Sequence, residues 1–277
     1  MGTVGSRSAT LAMHAVLALA AAVVVLPVVW VALAAVKTQI ALLRGDVLFT
    51  PVWTHFDELL FSRSSDYLHD FLNSLIVASA STALVVAIST LAAYSLARLG
   101  WPRWVPAAVM AWSLVFHMLP PITVVGPWYV MFRTLGLDNT HAGLVLAHLV
   151  LNLPVGIWLM SVFVREIPVE LEEAARIDGC TTPQVLWRIV VPIVAPGLAT
   201  TAVLCFVFSW NEFAVALNLT ARQTATVPVA IARFAQEYEI KHGVMAAGAV
   251  VSAIPAVLLL LFAQRHIVKG LTAGAIR

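Results

Sequence analysis

The sequence predicts an all-α, polytopic membrane protein with six transmembrane helices, and two observations predict it. The 277 residues are 61% hydrophobic and only 11% charged, with a mean hydropathy of +0.94. Soluble domains carry about a quarter charged residues, so this chain has too little polar surface to wrap a water-soluble globule. Its apolar residues also gather into long charge-free runs, and about 20 such residues suffice for a helix to cross a hydrocarbon core of roughly 30 Å. In lipid every backbone N–H and C=O must be satisfied within the segment, which long helices achieve and isolated strands do not.

The first run, Leu11 to Val36, is far longer than the roughly 7 to 15 apolar residues of a secretory signal, so it reads as a retained helix over 11–36. The second, Phe71 to Ala97, predicts a helix over 71–97. The third, Trp104 to Phe132, predicts a helix over 104–132 made irregular by Pro120, Pro121 and Pro127, the best candidate to bend during gating. The fourth, Asn139 to Val164, predicts a helix over 139–164 that Asn152-Leu153-Pro154 breaks near its middle. Proline removes a backbone bond there, and the asparagine amide is placed to satisfy the freed group. Such a break either lines a transport pathway or is a packed kink. The fifth, Ile189 to Asn211, and the sixth, His242 to Gln264, predict helices over 193–217 and 243–264. In the sixth, Gly248, Ser252 and Ala256 form a small-residue stripe suited to close helix packing. No fixed-period repeat and no Gly/Ser-rich linker divides the chain, so residues 1–277 read as one domain.

Six crossings put both termini on one side. Short loops and tails on that side carry Arg7, Arg98, Arg103, Arg165, Arg176, Arg188, Arg265, Lys269 and Arg277, against fewer cations in longer, acid-rich loops opposite. The positive-inside bias therefore makes both termini cytoplasmic. A net charge of +2 with scattered Lys and Arg points away from a nucleic-acid partner. Cys180 and Cys205 fall in a cytoplasmic loop and a membrane helix, a placement that argues against a disulfide. His14, His117, His141 and His148 lack metal-ligand spacing, and no site for a metal is expected. No GxxxxGK[ST] phosphate loop, no HExxH pair and no nucleophile with a facing base occur, so no catalytic residue and no enzymatic activity are assigned.

The internal loop, 165–192, is the most informative stretch. In Arg165-Glu-Ile-Pro-Val-Glu-Leu-Glu-Glu-Ala-Ala-Arg-Ile-Asp-Gly-Cys180, Pro168 suits the first turn of a new helix. Glu170, Glu172 and Glu173 then sit near its positive end, favoured by about 0.3–1 kcal/mol each. Gly179 is a natural stop. Helical spacing puts Leu171, Ala174, Ala175 and Asp178 on one face and Glu170, Glu173 and Ile177 on the other. A small, partly apolar face of this kind suits docking into a groove on a partner, although an ordinary solvated loop with helical propensity has the same composition. Thr181-Thr182-Pro183-Gln184 then fits a capping box or a proline-led turn opening a second helix.

These residues carry a resemblance. Glu173-Ala174-Ala175, three residues, Gly179, nine residues, Ile189, two residues and Pro192 resemble the "EAA" motif of ABC importer permeases. Ser209-Trp210-Asn211-Glu212-Phe213 with Ala216 and Leu219, the tail Gln264 to Ala275, and Asn73-Ser74 resemble the carbohydrate-uptake branch typified by the inner, second of the two maltose-type permeases. The similarity spans roughly residues 10 to 277; Cys180 replaces the common alanine and the ending is Ile276-Arg277.

The resemblance implies a permease subunit of a binding-protein-dependent importer in the bacterial cytoplasmic membrane, translocating a sugar or sugar derivative. It also implies that Glu170, Leu171, Glu173, Ala174, Ala175, Asp178 and Gly179 form a coupling helix. The partners it implies are a second homologous permease, a cytoplasmic ATPase dimer and an extracytoplasmic substrate-binding protein, besides membrane lipid. No cofactor is expected in this chain, ATP and Mg belonging to the ATPase. An ion-coupled secondary transporter is the alternative class, but apart from Glu212 the spans offer almost no titratable group for coupling.

Asn152, Trp210, Asn211 and Glu212 are the candidate substrate pathway. Glu212 lies sixteen residues past Pro196, about 24 Å along the fifth helix at 1.5 Å per residue. A carboxylate at that depth faces a bundle interior or an aqueous cavity. Two readings stand side by side: sugar contact together with Trp210 and Asn211, or a structural tryptophan beside a glutamate that snorkels or pairs with a partner subunit.

Overall fold

The computed structural model describes residues 4–63, 65–235 and 240–273. The ending Ile276-Arg277 and residues 236–239 of the long loop before the last run lie outside them. In chain order the helices are α1 (Val4–Ala34), α2 (Gln39–Arg44), α3 (Thr54–Phe61), α4 (Tyr67–Arg98), α5 (Trp104–Met118), α6 (Ile122–Thr134), α7 (His141–Arg165) and α8 (Val169–Ile177). They continue with α9 (Thr182–Val185), a π-helical turn over Leu186–Val190, α10 (Val191–Ile193), α11 (Ala195–Trp210), α12 (Ala214–Leu219), α13 (Val227–Ala232) and α14 (His242–Ala273). No strand occurs among the described residues beyond one isolated bridge, Ala235 to Ile240. Among the described residues four helices are long and apolar enough to cross a membrane, or up to six spans if each of two bent pairs counts as one.

The chain divides into two compact units. One comprises the chain up to Tyr67 with Ile231–Ala253. Here Thr38 caps α2 by accepting the Ala41 N–H at 3.2 Å, and Gly45, at φ 72°, closes it. The buried Lys37 donates to the Asp46 carbonyl at 2.7 Å and lies over the Trp30 and Phe49 rings. Tyr67 donates its hydroxyl to the Gly248 carbonyl at 2.8 Å, so the small-residue stripe of the last run receives an aromatic side chain at its first position.

The other unit comprises Leu68–Ala230 with Ile254–Arg277. Helices α4 and α7 pack closely at Gly156, where a β-carbon would come within 2.6 Å of Val85 Cγ1. Any larger residue there would force Val85 to shift, the membrane counterpart of close small-residue packing. Two apolar clusters form. One joins Val77, Leu144 and Ala147 to Val215 and Leu219; the other joins Tyr94, Met160 and Val164 to Ala175, Val185 and Val190. Asn73 donates to the carbonyls of Gln223 and Ala225, both at 3.1 Å, and Ser74 accepts the Val227 N–H at 2.7 Å.

Four predicted elements need correction. The helix expected over 104–132 is two helices, α5 and α6, turned by 100° at Leu119–Pro121, because two successive prolines cannot continue the hydrogen-bond ladder. The helix expected over 193–217 ends at Trp210 and restarts at Ala214, and a 76° bend separates Thr182–Ile193 from Ala195–Trp210. The break expected at Asn152-Leu153-Pro154 is absent: α7 runs unbroken through Pro154. Burial of Pro154 and Asn152 in the packed unit holds the helical path despite the missing donor. The first helix runs from Val4 to Ala34 rather than over 11–36, since Thr38 caps the next helix and the chain must turn before it.

Candidate functional site

Two regions of the second unit hold most of the residues singled out from the sequence. The first is the segment after α7. Pro168 precedes α8 with extended backbone, ψ 130°, as expected for a residue fixed in φ that lacks an amide to donate. At the other end the Cys180 N–H reaches the Ala175 carbonyl at 2.9 Å and the Asp178 N–H reaches Ala174 at 3.0 Å. Gly179 takes φ +85° to permit this, a left-handed stop that satisfies the last carbonyls. Thr181 and Gln184 then form the capping box that opens α9. The helix, tight turn and second helix read from the sequence are all present.

The faces of α8 divide differently from the predicted pattern. Glu170, Leu171, Glu173, Ala174, Asp178 and Gly179 are exposed, while Ala175 is buried in the cluster with Tyr94 and Val164. Ala175 therefore packs inward and leaves the docking face to its neighbours. Glu172, one turn before it, is also buried, at 1% exposure. Its carboxylate accepts from Arg98 Nε at 2.7 Å and from the Tyr94 hydroxyl at 3.1 Å. Sequence reading grouped Glu172 with Glu170 and Glu173 as helix-dipole partners. The only signal separating them is the i, i+3 relation of Glu172 to Ala175, which marks an inward face.

The second region is a cavity of about 470 Å³ lined by Phe116, His117, Leu119 and Pro121 from the α5–α6 break, Leu151 and Asn152 from α7, and Val207, Phe208, Asn211, Glu212, Phe213 and Ala214 from the α11–α12 break. Both breaks in the helical ladder thus border one space. Irregular backbone at membrane depth is tolerated where it is buried in protein or lines a cavity, and discontinuous helices mark the binding regions of many transporters.

The structure brings Asn152, Asn211 and Glu212 together here and places Trp210 elsewhere, stacked on Phe206 with centroids 5.7 Å apart and edge-on to Phe71 at 5.4 Å. Glu212 spends both oxygens on α12: Oε1 accepts the Val215 N–H at 2.8 Å and Oε2 the Ala216 N–H at 2.9 Å. From the position before the N-cap residue Phe213, its side chain satisfies two of the free amides in the first turn of that short helix where the chain restarts. His148, buried within α7, places Nε2 3.5 Å from Glu212 Oε2 and bonds Ser209 Oγ through Nδ1 at 2.6 Å, and Ser209 meets Ser81 at 3.1 Å. The spacing of His148 pointed only away from a metal ligand; its place behind the cavity wall depends on a partner 64 residues away and has no local signature. Among the described residues no group of three His, Cys, Asp or Glu side chains is placed to hold a metal ion.

Comparison with known proteins follows the same lines. A family model described as "Binding-protein-dependent transport system inner membrane component" matches residues 86–273. The trehalose transport system permease protein SugB of Mycobacterium tuberculosis (strain CDC 1551 / Oshkosh) is 38% identical over 256 residues, covering 91% of this chain and 92% of that protein. The sulfoquinovosyl glycerol transport system permease protein SmoH of Agrobacterium fabrum (strain C58 / ATCC 33970) is 36% identical over 253 residues, covering 91% and 88%. A chain of a bacterial ABC transporter involved in import of the acidic polysaccharide alginate superposes with a TM-score of 0.77 at 21% identity, covering 96% of this chain and 98% of that one. At that identity the likeness establishes the fold.

Proposed function

Because the chain belongs to the family of binding-protein-dependent transport system inner membrane components, we propose that it is the permease subunit of an ATP-driven importer of a sugar or sugar derivative. It is a multi-pass membrane subunit and performs no chemistry; hydrolysis of ATP falls to a separate subunit. Trehalose and sulfoquinovosyl glycerol, the substrates in the names of two relatives, are both polyhydroxylated glycosides. The cavity matches that class in kind: Asn152, Asn211 and His117 offer hydrogen bonds, and Phe116, Phe208 and Phe213 offer apolar faces.

In this reading both termini are cytoplasmic, and α8 docks in a cleft of the ATPase dimer. A second, homologous permease completes the pathway, and an external binding protein delivers substrate near the loop that follows α12. Closure of the ATPase displaces the Pro168–Gly179 segment and rocks the bundle between inward-open and outward-open states. The observation that carries the proposal is the α8 segment itself. It is a short helix stopped by a left-handed glycine, projecting Glu170, Leu171, Glu173, Ala174 and Asp178 into solvent at the very spacing of the coupling motif.

The test is charge reversal at that surface. Glu173→Lys should cut copurification of the ATPase by about tenfold or more through loss of electrostatic fit, with the membrane helices still inserted by cysteine accessibility. Full transport and undiminished ATPase binding in this variant would defeat the proposal.

A further inference from the structure

The exposed face of α8 explains how a partner grips the segment, but not how movement leaves it. We propose that Glu172 and Arg98 form the joint that passes displacement of α8 to the membrane helices, with Arg98 as the positioning residue shared by three elements; the inference rests on the importer reading above.

One guanidinium makes three of the four connections. Arg98 stands at the last position of α4. Its Nε donates to Glu172 Oε1 at 2.7 Å, and its Nη2 donates to the carbonyls of Val164 at 3.1 Å and Ile167 at 2.8 Å. The end of α4, the end of α7 and the first turns of α8 therefore meet at a single side chain. Tyr94, one turn earlier on α4, donates its hydroxyl to the second carboxylate oxygen at 3.1 Å. Both ionic side chains are withdrawn from water, at 10% exposure for Arg98 and 1% for Glu172.

The physical consequence is stiffness in a chosen direction. The surrounding contacts of Ala93, Met160, Val164, Ala175 and Val185 are apolar and non-directional, so they tolerate sliding. Charge-assisted bonds through a planar fork are directional and resist shear. Separating them would leave a charge buried without a partner, which costs far more than shifting an apolar contact. A push on α8 thus moves α4 and α7 with it instead of being lost as slippage over their ends. Glu173, adjacent in sequence but exposed, has no such connection and serves the outer surface alone.

The experiment uses the complete importer in proteoliposomes, with transported sugar and hydrolysed ATP counted in parallel. Glu172→Gln keeps the shape and an acceptor for Tyr94 but removes the charge facing Arg98. The expected result is normal assembly, ATP hydrolysis within about twofold of wild type, and at least about a tenfold loss of sugar moved per ATP, the scale of a typical coupling free energy. Arg98→Lys, which keeps charge without the fork, should recover part of the ratio. The double variant Arg98→Ala/Glu172→Ala should be no worse than Glu172→Ala, since the two residues act as one unit.

A wild-type ratio in Glu172→Gln overturns the joint. So does a parallel fall of transport and hydrolysis tracking a lowered melting temperature across the variants, because the pair would then be a brace for the fold alone. Failure of the wild-type chain to bind any ATPase is a different result, which sinks the importer reading and the joint with it.

Discussion

Replacing Glu212 by alanine separates a cap from a sugar ligand, the two roles a carboxylate at this position can play. Its side chain is 9% exposed and accepts the Val215 and Ala216 amides at 2.8 and 2.9 Å. Hydrogen bonds to a charged group contribute about 1.5–3 kcal/mol each, which sets an upper bound of about 3–6 kcal/mol for the pair. The adjoining cavity of about 470 Å³ is roomy and polar enough to admit water to the freed amides, and truncation also relieves the cost of burying the carboxylate. A net loss of about 2–4 kcal/mol follows, at or above the roughly 2 kcal/mol ceiling for neutral helix caps, as expected for a charged acceptor. At roughly 2–4 °C per kcal/mol for a chain of this size, Glu212→Ala should melt about 5–15 °C below wild type in detergent. Glu212→Gln, which keeps one acceptor, should lose about half as much. The assay is paired with transport kinetics on the assembled importer. A melting temperature within about 2 °C of wild type, together with a KM for sugar raised tenfold or more, would refute the capping argument and make Glu212 a substrate contact.

Asn152→Ala should raise the KM for sugar about twofold to tenfold, the worth of one neutral hydrogen bond; transport kinetics in proteoliposomes check this. Gly156→Val places branched carbons where Val85 Cγ1 would lie 2.6 Å from the new β-carbon. It should cost about 1–3 kcal/mol by overpacking, read as a lowered melting temperature, with a milder loss for Gly156→Ala because the Val85 methyl can shift.

The membrane character of the chain was legible because it is a matter of composition and run length, which no tertiary contact alters. The coupling segment was legible for a related reason: Pro168, Gly179 and Thr181 act within a few residues of themselves, and α8 opens and closes where they dictate. What resisted reading depends on partners distant in sequence. Glu170, Glu172 and Glu173 are chemically identical, and Arg98, 74 residues away, decides which of them is buried. The charge-free fifth run ends at Asn211, but Ala214–Leu219 is largely apolar again and invites one continuous helix over 193–217; at the restart Glu212 bonds forward to its own chain. Pro154 erred in the opposite direction. A proline predicts a break from local sterics, yet α7 continues through it because packing against α4 at Gly156 and burial of the segment hold the helix in place.

These placements tie α4 to other elements near both of its ends. Near its start Asn73 and Ser74 hold the stretch Gln223 to Val227 by three hydrogen bonds, and at its last residue Arg98 holds α8. From Asn73 to Arg98 is about 37 Å at 1.5 Å per residue, more than the thickness of the hydrocarbon core. No proline interrupts α4, whereas the spans on either side of the cavity are broken at Leu119–Pro121 and Asn211–Phe213. An unbroken helix tilts as a rod, while broken ones absorb displacement at their hinges. On the proposed joint, a movement of α8 is carried by the same rod to the stretch Gln223 to Val227, and the breaks that border the cavity are the places where the neighbouring helices yield.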